Sequence, residues 1–310
     1  MQKHARVIYN PTSGREIIKK NLADVLSILE QAGYVTSAHA TTAEPDDAKH
    51  AAEEAVRNRF DLVVAAGGDG TINEVINGIA EKEYRPKVGI IPTGKTNDFA
   101  RALHVPRDVI KATKIIAAGQ SVAMDIGKAN ETYFINIGGG GRLTELTYDV
   151  PSRLKTMLGQ LAYYLKGIEM LPSLKATKVK VEYDQGVFEG EVMFFLLGLT
   201  NSIGGFEKIA PDAKLDDGKF SLIIVKKVNL AEFIRLVTLA LRGDHIKEPN
   251  VIYVKSEKVI VNSEDKMLIN LDGELGGETP MEFRNLRQHI EFFASVDDIP
   301  ATDLFIKENS

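Results

Sequence analysis

From residue 4 to about residue 125, apolar β-branched runs alternate with segments of helical period. ARVIYN, YVTSAHA, DLVVAA and KVGII have the composition of strands. Between them, apolar positions recur every three or four residues near Arg15–Ala32, Asp46–Arg59 and Thr71–Ala80, which predicts helices. Strands and helices in strict alternation predict a parallel sheet wrapped by helices, a Rossmann-like α/β domain. Beyond Met124 the pattern changes. TYFINI, KVKVEY, EVMFFLLGLT, FSLIIV, VIYVKS, KVIVNS, MLINLD and QHIEFFA are short strand-like runs, broken by turn signals such as Asp184-Gln-Gly and Asp216-Asp-Gly. They predict an antiparallel β-sandwich, interrupted by helical segments near Ser152–Leu171 and Asn229–Arg242. The expected division is therefore an α/β domain over 1–126 and a β-sandwich domain over 127–296, with 297–310, which contains IPATDLFIKENS, as an amphipathic turn or short helix docking back on the first.

Composition narrows the class of protein. The 310 residues suffice for two ordinary domains, and 44% hydrophobic with 26% charged residues is a globular balance. No apolar h-region follows the start MQKHARVIYN, and runs such as Val192–Leu197 are too short to cross a bilayer, so a cytoplasmic or peripheral protein is expected. The absence of cysteine excludes disulfides and thiolate metal sites, and the six histidines have no ligand spacing. A net charge of −5 argues against broad nucleic-acid binding.

Three loops carry candidate chemistry. GIIPTGKT, residues 89–96, satisfies the phosphate-loop string G-x-x-x-x-G-K-[ST], but the context contradicts that reading. Gly89 lies inside an apolar run, two isoleucines resist a tight turn, and Pro92 lacks an N–H for an anion. VGII is expected to be a strand, with PTGKTNDFARAL as the following loop and helix. AAGGDGTINEVINGI, residues 65–79, follows a strand and opens a helix. Gly67, Gly68 and Gly70 there permit a sharp turn with N–H groups facing an anion. Within it, Asp69 either caps the helix, or orients the loop through hydrogen bonds, or faces a divalent cation. YNPTSGRE at 9–16 repeats the design. Loops after parallel strands gather at one sheet edge, so a nucleotide phosphate crevice is the economical account.

GGDGTINE, IPTGKTNDFARAL, PDAKLDDGKF and LDGE, in that order, resemble the diacylglycerol kinase catalytic family, and its soluble bacterial members in particular. The resemblance runs nearly end to end, including NPTSG and GGGGRLTELTYDVPSRLKTMLGQLAYYLKG. GGDG alone is unspecific, since NAD kinases and phosphofructokinases carry a similar turn; the four motifs together are specific. The resemblance implies transfer of the γ-phosphoryl group of ATP to the primary hydroxyl of diacylglycerol, giving phosphatidic acid. It places nucleotide contacts on Asn10, Pro11, Thr12, Ser13 and Gly14, on Thr41, on Gly68, Asp69, Gly70, Thr71, Ile72, Asn73 and Glu74, and on Lys95. Position 95 departs from the family, which usually has threonine there, and the change creates the phosphate-loop match. Gly138 stands where alanine is common.

Glu274 in INLDGELGG matches the family's general base. From the residues alone it is either a carboxylate exposed at a strand end or an ordinary hairpin residue. The family pattern assigns a structural Mg²⁺ to the carbonyls of Lys214 and Lys219 and the side chain of Asp217, in a loop that otherwise reads as a plain Asp-Asp-Gly turn. It also hints at Asp125 as a relay between that loop and the crevice, and leaves Asp69 as the protein group nearest a catalytic Mg²⁺ that arrives with ATP. Arg153, Lys155 and Lys166, among Leu, Met and Tyr residues, suit a helix lying on an anionic membrane, or equally one packed on the sandwich. Arg15, Lys19 and Lys20 add a basic edge. Contact with the inner face of the membrane is expected of an enzyme whose substrate is a lipid. NAD kinase chemistry and a catalytically impaired lipid-binding protein are the competing readings. Acyl specificity and oligomeric state, a homodimer included, are not legible in the sequence.

Overall fold

The computed structural model describes residues 2–141, 176–201 and 209–305. The chain divides into two compact units, one of Met1–Ile126, Leu215–Asp217 and Leu286–Ser310, the other of Gly127–Lys214 and Gly218–Asn285. Residues 286–296, expected in the second domain, thus pack with the first, as does the three-residue segment Leu215–Asp217 at the Asp-Asp-Gly turn. The expected helix near Ser152–Leu171 lies outside the described residues.

In the first unit the chain runs β1 (Lys3–Tyr9), α1 (Ile17–Gln31), β2 (Tyr34–Ala40), α2 (Asp47–Arg57), β3 (Leu62–Gly67), α3 (Asp69–Ile79), β4 (Lys87–Pro92), α4 (Asp98–Ala102) and α5 (Val109–Ala118). β1 pairs in parallel with β2 on one side and β3 on the other; β4 continues in parallel from β3. The strand order 2-1-3-4 reverses direction at β1, so the carboxyl ends of β1 and β3 flank the topological switch point where α/β sheets take their ligands. Every residue of β3 is buried, as a central strand covered on both faces requires. α1 begins two residues later than its periodicity suggests, because Gly14, Arg15 and Glu16 all take left-handed φ of +56° to +65° and cannot continue a right-handed helix. α5, absent from the sequence-based expectation, is bounded by clear signals: the Asp108 carboxylate accepts from Lys111 N at 2.8 Å, and Gly119 at φ +81° ends it.

β5 (Ser121–Ala129) and β15 (Met281–Phe293) each run through a boundary between the units. Within the first unit, Phe292 of β15 pairs in parallel with Val88 of β4. Within the second, β6 (Thr132–Phe134), β7 (Ile137–Gly140), β8 (Thr177–Tyr183), β9 (Gly186–Gly198), β10 (Phe220–Lys226), β11 (Val251–Ser256), β12 (Lys258–Ser263), β13 (Leu268–Leu271) and β14 (Glu274–Glu278) are linked in antiparallel pairs. Their inward residues form a core around Phe134, Phe195, Phe220 and Phe283, with Phe134 stacked on Phe220 at 5.7 Å between centroids. α6 (Leu230–Ala240) starts at a capping box of Asn229 and Glu232 and buries Phe233 and Leu236 against Ile223, Val225 and Val251.

Gly78 of α3 tests the helix packing of the first unit. An alanine would add about 1 kcal/mol of helix propensity. Its Cβ, however, would stand 2.5 Å from the Lys49 carbonyl oxygen and 2.8 Å from Ala52 Cβ on α2, and overpacking of this kind costs about 1–3 kcal/mol. Gly78→Ala is expected to destabilise the protein by about 1–2 kcal/mol net in urea unfolding; a gain in stability would contradict the close α2–α3 contact.

Candidate functional site

The loops after β1, β3 and β4 form one hydrogen-bonded surface at the carboxyl edge of the parallel sheet. Asn10 N donates to Ala66 O at 2.9 Å, and the Asn10 side-chain oxygen accepts from both Thr12 N at 3.0 Å and Thr12 Oγ1 at 2.9 Å, closing an Asx turn. The hydroxyls of Ser13 and Thr93 are hydrogen-bonded to each other. Gly14 lies so close to β4 that a Cβ would stand 2.6 Å from Thr93 O, and its φ of +56° also favours glycine. Thr93 N donates to Gly67 O at 2.9 Å, which carries the link on to the loop after β3.

Asp69 ties that loop to the next. Its Oδ2 accepts from Thr96 Oγ1 at 2.8 Å and from Asn97 N at 2.9 Å. The capping role is not the one the structure shows: Gly68 is the cap of α3, without a side-chain bond, and Asp69 is the first helical residue, where a carboxylate also favours the positive end of the helix. The glycines act differently from expectation as well. Neither Gly67, Gly68 nor Gly70 is left-handed. Gly67 is required because a Cβ would meet Thr71 Oγ1 at 2.4 Å; across the gap from Gly68 it is Gly94 that must lack a side chain, since its Cβ would stand 2.6 Å from Gly68 Cα.

The loop after β4 is fixed from inside and outside. The buried Asn97, left-handed at φ +51°, accepts from Gly94 N at 2.9 Å and donates to Gly94 O at 2.8 Å. Arg107 donates to the carbonyls of Lys95 and Thr96, and Arg101 to that of Thr96. The Lys95 side chain is exposed and makes no ion pair among the described residues. Gly89 sits in mid-strand, where a Cβ would meet Ile116 of α5 at 2.6 Å, so the glycine of the apparent phosphate loop serves helix packing.

The other expected nucleotide residues are dispersed around this surface. Pro11, Thr12 and Ser13 lie in the first loop, and Gly70 and Thr71 in the first turn of α3. Thr41 follows β2, with its N–H donating to Tyr9 O at 2.9 Å. Ile72 is fully buried and its N–H donates to Gly68 O, while the Asn73 side chain accepts from Asn77 at 3.0 Å. Glu74 accepts from Ala48 N at 3.0 Å at the start of α2; burial raises its pKa, opposed by the N–H donors of Ala48 and Lys49. Glu74 therefore ties α3 to α2 in this structure, and Ile72 belongs to the buried core.

Asp125 is 2% exposed and meets the Asp-Asp-Gly segment directly: its N–H donates to Leu215 O at 2.8 Å, and its Oδ1 accepts from Gln288 N at 2.7 Å. Leu215 N donates to Asp303 O at 2.9 Å, and the Asp216 carboxylate, 1% exposed, accepts from Phe305 N at 2.5 Å. The final described residues form a 3₁₀ turn, Ala301–Asp303, followed by buried Leu304. Lys214, Asp217 and Lys219 are each half-buried, and Gly218 reverses the chain at φ +79°. Among the described residues, no group of three or more His, Cys, Asp or Glu gathers to hold a metal ion. One carboxylate with two carbonyls is a different donor set, made of oxygen only, and suits Mg²⁺ chemically.

In the second unit, Glu274 is exposed at the first position of β14, directly after the two-residue turn Asp272-Gly273. Both turn residues are left-handed, at φ +52° and +98°, as a type I′ hairpin requires. The Asp272 carboxylate accepts from Ile135 N at 2.8 Å and from Asn136 N and Ile137 N at 2.9 Å. Sequence reasoning missed Asp272, Asn97, Thr93 and Asp216. Only the Asp-Gly dipeptide, a strong hairpin signal, would have drawn attention to the first.

The comparisons with known proteins agree with this layout. Residues 4–129 match the diacylglycerol kinase catalytic domain family, and residues 145–294 match the YegS C-terminal NAD kinase beta sandwich-like domain family. A diacylglycerol kinase of Bacillus subtilis (strain 168) is 64% identical over 289 residues, spanning 93% of this chain and 95% of that protein. A diacylglycerol kinase of Staphylococcus epidermidis (strain ATCC 12228 / FDA PCI 1200) is 55% identical over 297 residues, spanning 96% and 94%. A crystal structure of a diacylglycerol kinase from Bacillus anthracis str. Sterne superposes with a TM-score of 0.78 at 30% identity, covering 95% of this chain and 97% of that one. Matching in sequence along almost its whole length and in the fold of both units, the chain belongs to the diacylglycerol kinase family.

Proposed function

We propose that this chain holds ATP at the loops after β1, β3 and β4 and uses Glu274 as the general base for transfer of the γ-phosphoryl group to diacylglycerol. Glu274 takes the proton of the primary hydroxyl, the hydroxyl oxygen bonds to the γ-phosphorus, and the bond to the β-phosphate oxygen breaks. The products are phosphatidic acid and ADP. The enzyme is thus an ATP-dependent lipid kinase, a phosphotransferase with an alcohol acceptor.

The observation that carries the nucleotide assignment is the hydrogen-bonded surface at the switch point of the parallel sheet. Phosphoryl transfer is mostly positioning and charge stabilisation. Asp69 contributes positioning, because it binds the loop after β3 to the loop after β4. Thr12 and Ser13 supply hydroxyls, and the N-terminus of α3 supplies N–H groups and the positive end of a helix dipole. Mg²⁺ belongs to the same proposal: the Lys214 and Lys219 carbonyls and the Asp217 carboxylate would hold one ion, and a second, bound with ATP, would supply neutralisation of phosphate charge. Asp125, hydrogen-bonded to Leu215, steadies the segment that leads into Asp217.

No helix among the described residues is long and apolar enough to cross a membrane. A lipid acceptor then implies surface contact with the bilayer. Exposed Arg15, Lys19 and Lys20 at the start of α1 favour an anionic surface, although Lys19 also pairs with Glu16 at 3.2 Å. Arg153, Lys155 and Lys166 lie outside the described residues.

Glu274→Gln is expected to bind ATP normally and to lose about 10²–10⁴ in turnover. The assay is labelled ATP with Mg²⁺ against diacylglycerol micelles, a sphingoid base and NAD; label appearing only in NADP would sink the lipid-kinase assignment, and near-normal turnover by the variant would remove Glu274 from the mechanism.

Two further variants separate the loops. Asp69→Ala releases two loop-ordering bonds, each to a charged acceptor, and should weaken ATP binding and turnover severely. Lys95→Thr removes an exposed charge, and should weaken ATP binding only about two- to fivefold, the range of an exposed ion pair. An inactive Lys95→Thr beside an active Asp69→Ala would move the phosphates to the apparent phosphate loop instead.

A further inference from the structure

We infer that Asp272 is a positioning residue for the kinase reaction: its carboxylate fixes the turn that sets the position of Glu274. The inference rests on Glu274 being the base.

Glu274 has little packing of its own. It is exposed, its neighbour Leu275 is 59% exposed, and it opens a strand whose other described residues are also at the surface or half-buried. Its place is therefore decided by the turn before it. That turn carries some conformational cost, because Asp272 bears a side chain at φ +52°, a left-handed backbone that aspartate tolerates better than most residues but less readily than glycine. Five hydrogen bonds hold it against that cost. Three are the N–H groups of Ile135, Asn136 and Ile137 donated to the Asp272 carboxylate; a fourth is Asp272 N to Ile137 O, and the fifth is Gly273 N to the buried Asn270 side chain, both at 2.9 Å.

The segment that donates these bonds is itself anchored. Asn136 O accepts from Leu199 N at 3.0 Å, and the Asn136 side chain accepts from the Thr200 hydroxyl, with both side chains buried. β13 is paired to β7 from Ile269 to Leu271. The turn is thus tied to a rigid part of the sandwich by a carboxylate that is already occupied as an acceptor, which leaves Glu274 to meet a substrate hydroxyl. A general base must lie within hydrogen-bond reach of its proton, and a displacement of about 1 Å costs about 10²-fold in rate.

Asp272→Asn keeps one acceptor oxygen and turns the other into a donor facing an N–H, so at least one of the three bonds is lost. Turnover should fall about 10- to 100-fold with the Michaelis constants for ATP and diacylglycerol changed less than about threefold. In a Glu274→Gln background the same substitution should lower the residual turnover no further, because a residue acting only through another has no separate effect once that one is gone. Gly273→Ala is the second probe, in case Asp272→Asn folds poorly. A Cβ there meets nothing within 4 Å, so it acts through the φ of +98° alone and should reproduce the loss of turnover. An equal fractional loss in the wild-type and Glu274→Gln backgrounds would overturn the positioning role and make Asp272 merely structural. Full turnover by Glu274→Gln alone would instead remove the base on which the inference rests.

Discussion

Carboxylate oxygens that accept backbone N–H groups from a second segment are what make the loops of this protein into defined surfaces. Asp69 is the clearest case. A strand-end loop has no ladder to satisfy its N–H groups, and a charged acceptor gives bonds roughly twice as strong as neutral ones. By binding Asn97 N and the Thr96 hydroxyl, Asp69 joins two loops that are 27 residues apart in the chain. The Gly68–Gly94 approach accompanies the same join, and it needs glycine at 94, where a Cβ would stand 2.6 Å from Gly68 Cα.

The device recurs. Asp272 takes three N–H groups from Ile135–Ile137, and Asp216 takes that of Phe305. In each case the anchored carboxylate neighbours a residue of proposed chemical function: Glu274 two positions after Asp272, Asp217 directly after Asp216. Burial makes the arrangement stringent. A buried carboxylate left without partners would cost several kcal/mol, so Asp216 at 1% exposure holds its segment in place or the segment does not pack. Motifs such as LDGE and LDDG therefore pair an internal clamp with an outward group, and the two carboxylates of such a motif are not interchangeable.

The apparent phosphate loop shows the opposite relation between string and structure. Gly89 is in the right place for the pattern but is buried in β4 against Ile116, and Pro92 continues the strand. On the proposed assignment, anion chemistry at this edge falls instead to loops whose sequences are less distinctive. What distinguishes them is their common position at the switch point, which follows from strand order rather than from any single motif.

How much of this was legible in the sequence differs by level. Hydrophobic period determined the elements: the strands at 5–10, 61–66 and 87–91 and the helices between them follow from which side chains must leave water, and that pattern is local. The switch from α/β to antiparallel β near Met124 was legible for the same reason. The Asn10, Asp69 and Glu274 loops were visible because glycine and small polar residues after an apolar run mark strand ends. The left-handed stretch Gly14–Glu16, the partners of Asp69, the inward turn of Asp216 and the three bonds to Asp272 were not. Apart from the left-handed stretch, each joins residues from 27 to 137 positions apart, with distances set by strand order and register. Local pattern records which residues prefer burial or a turn; only the folded chain decides which N–H stands opposite which carboxylate.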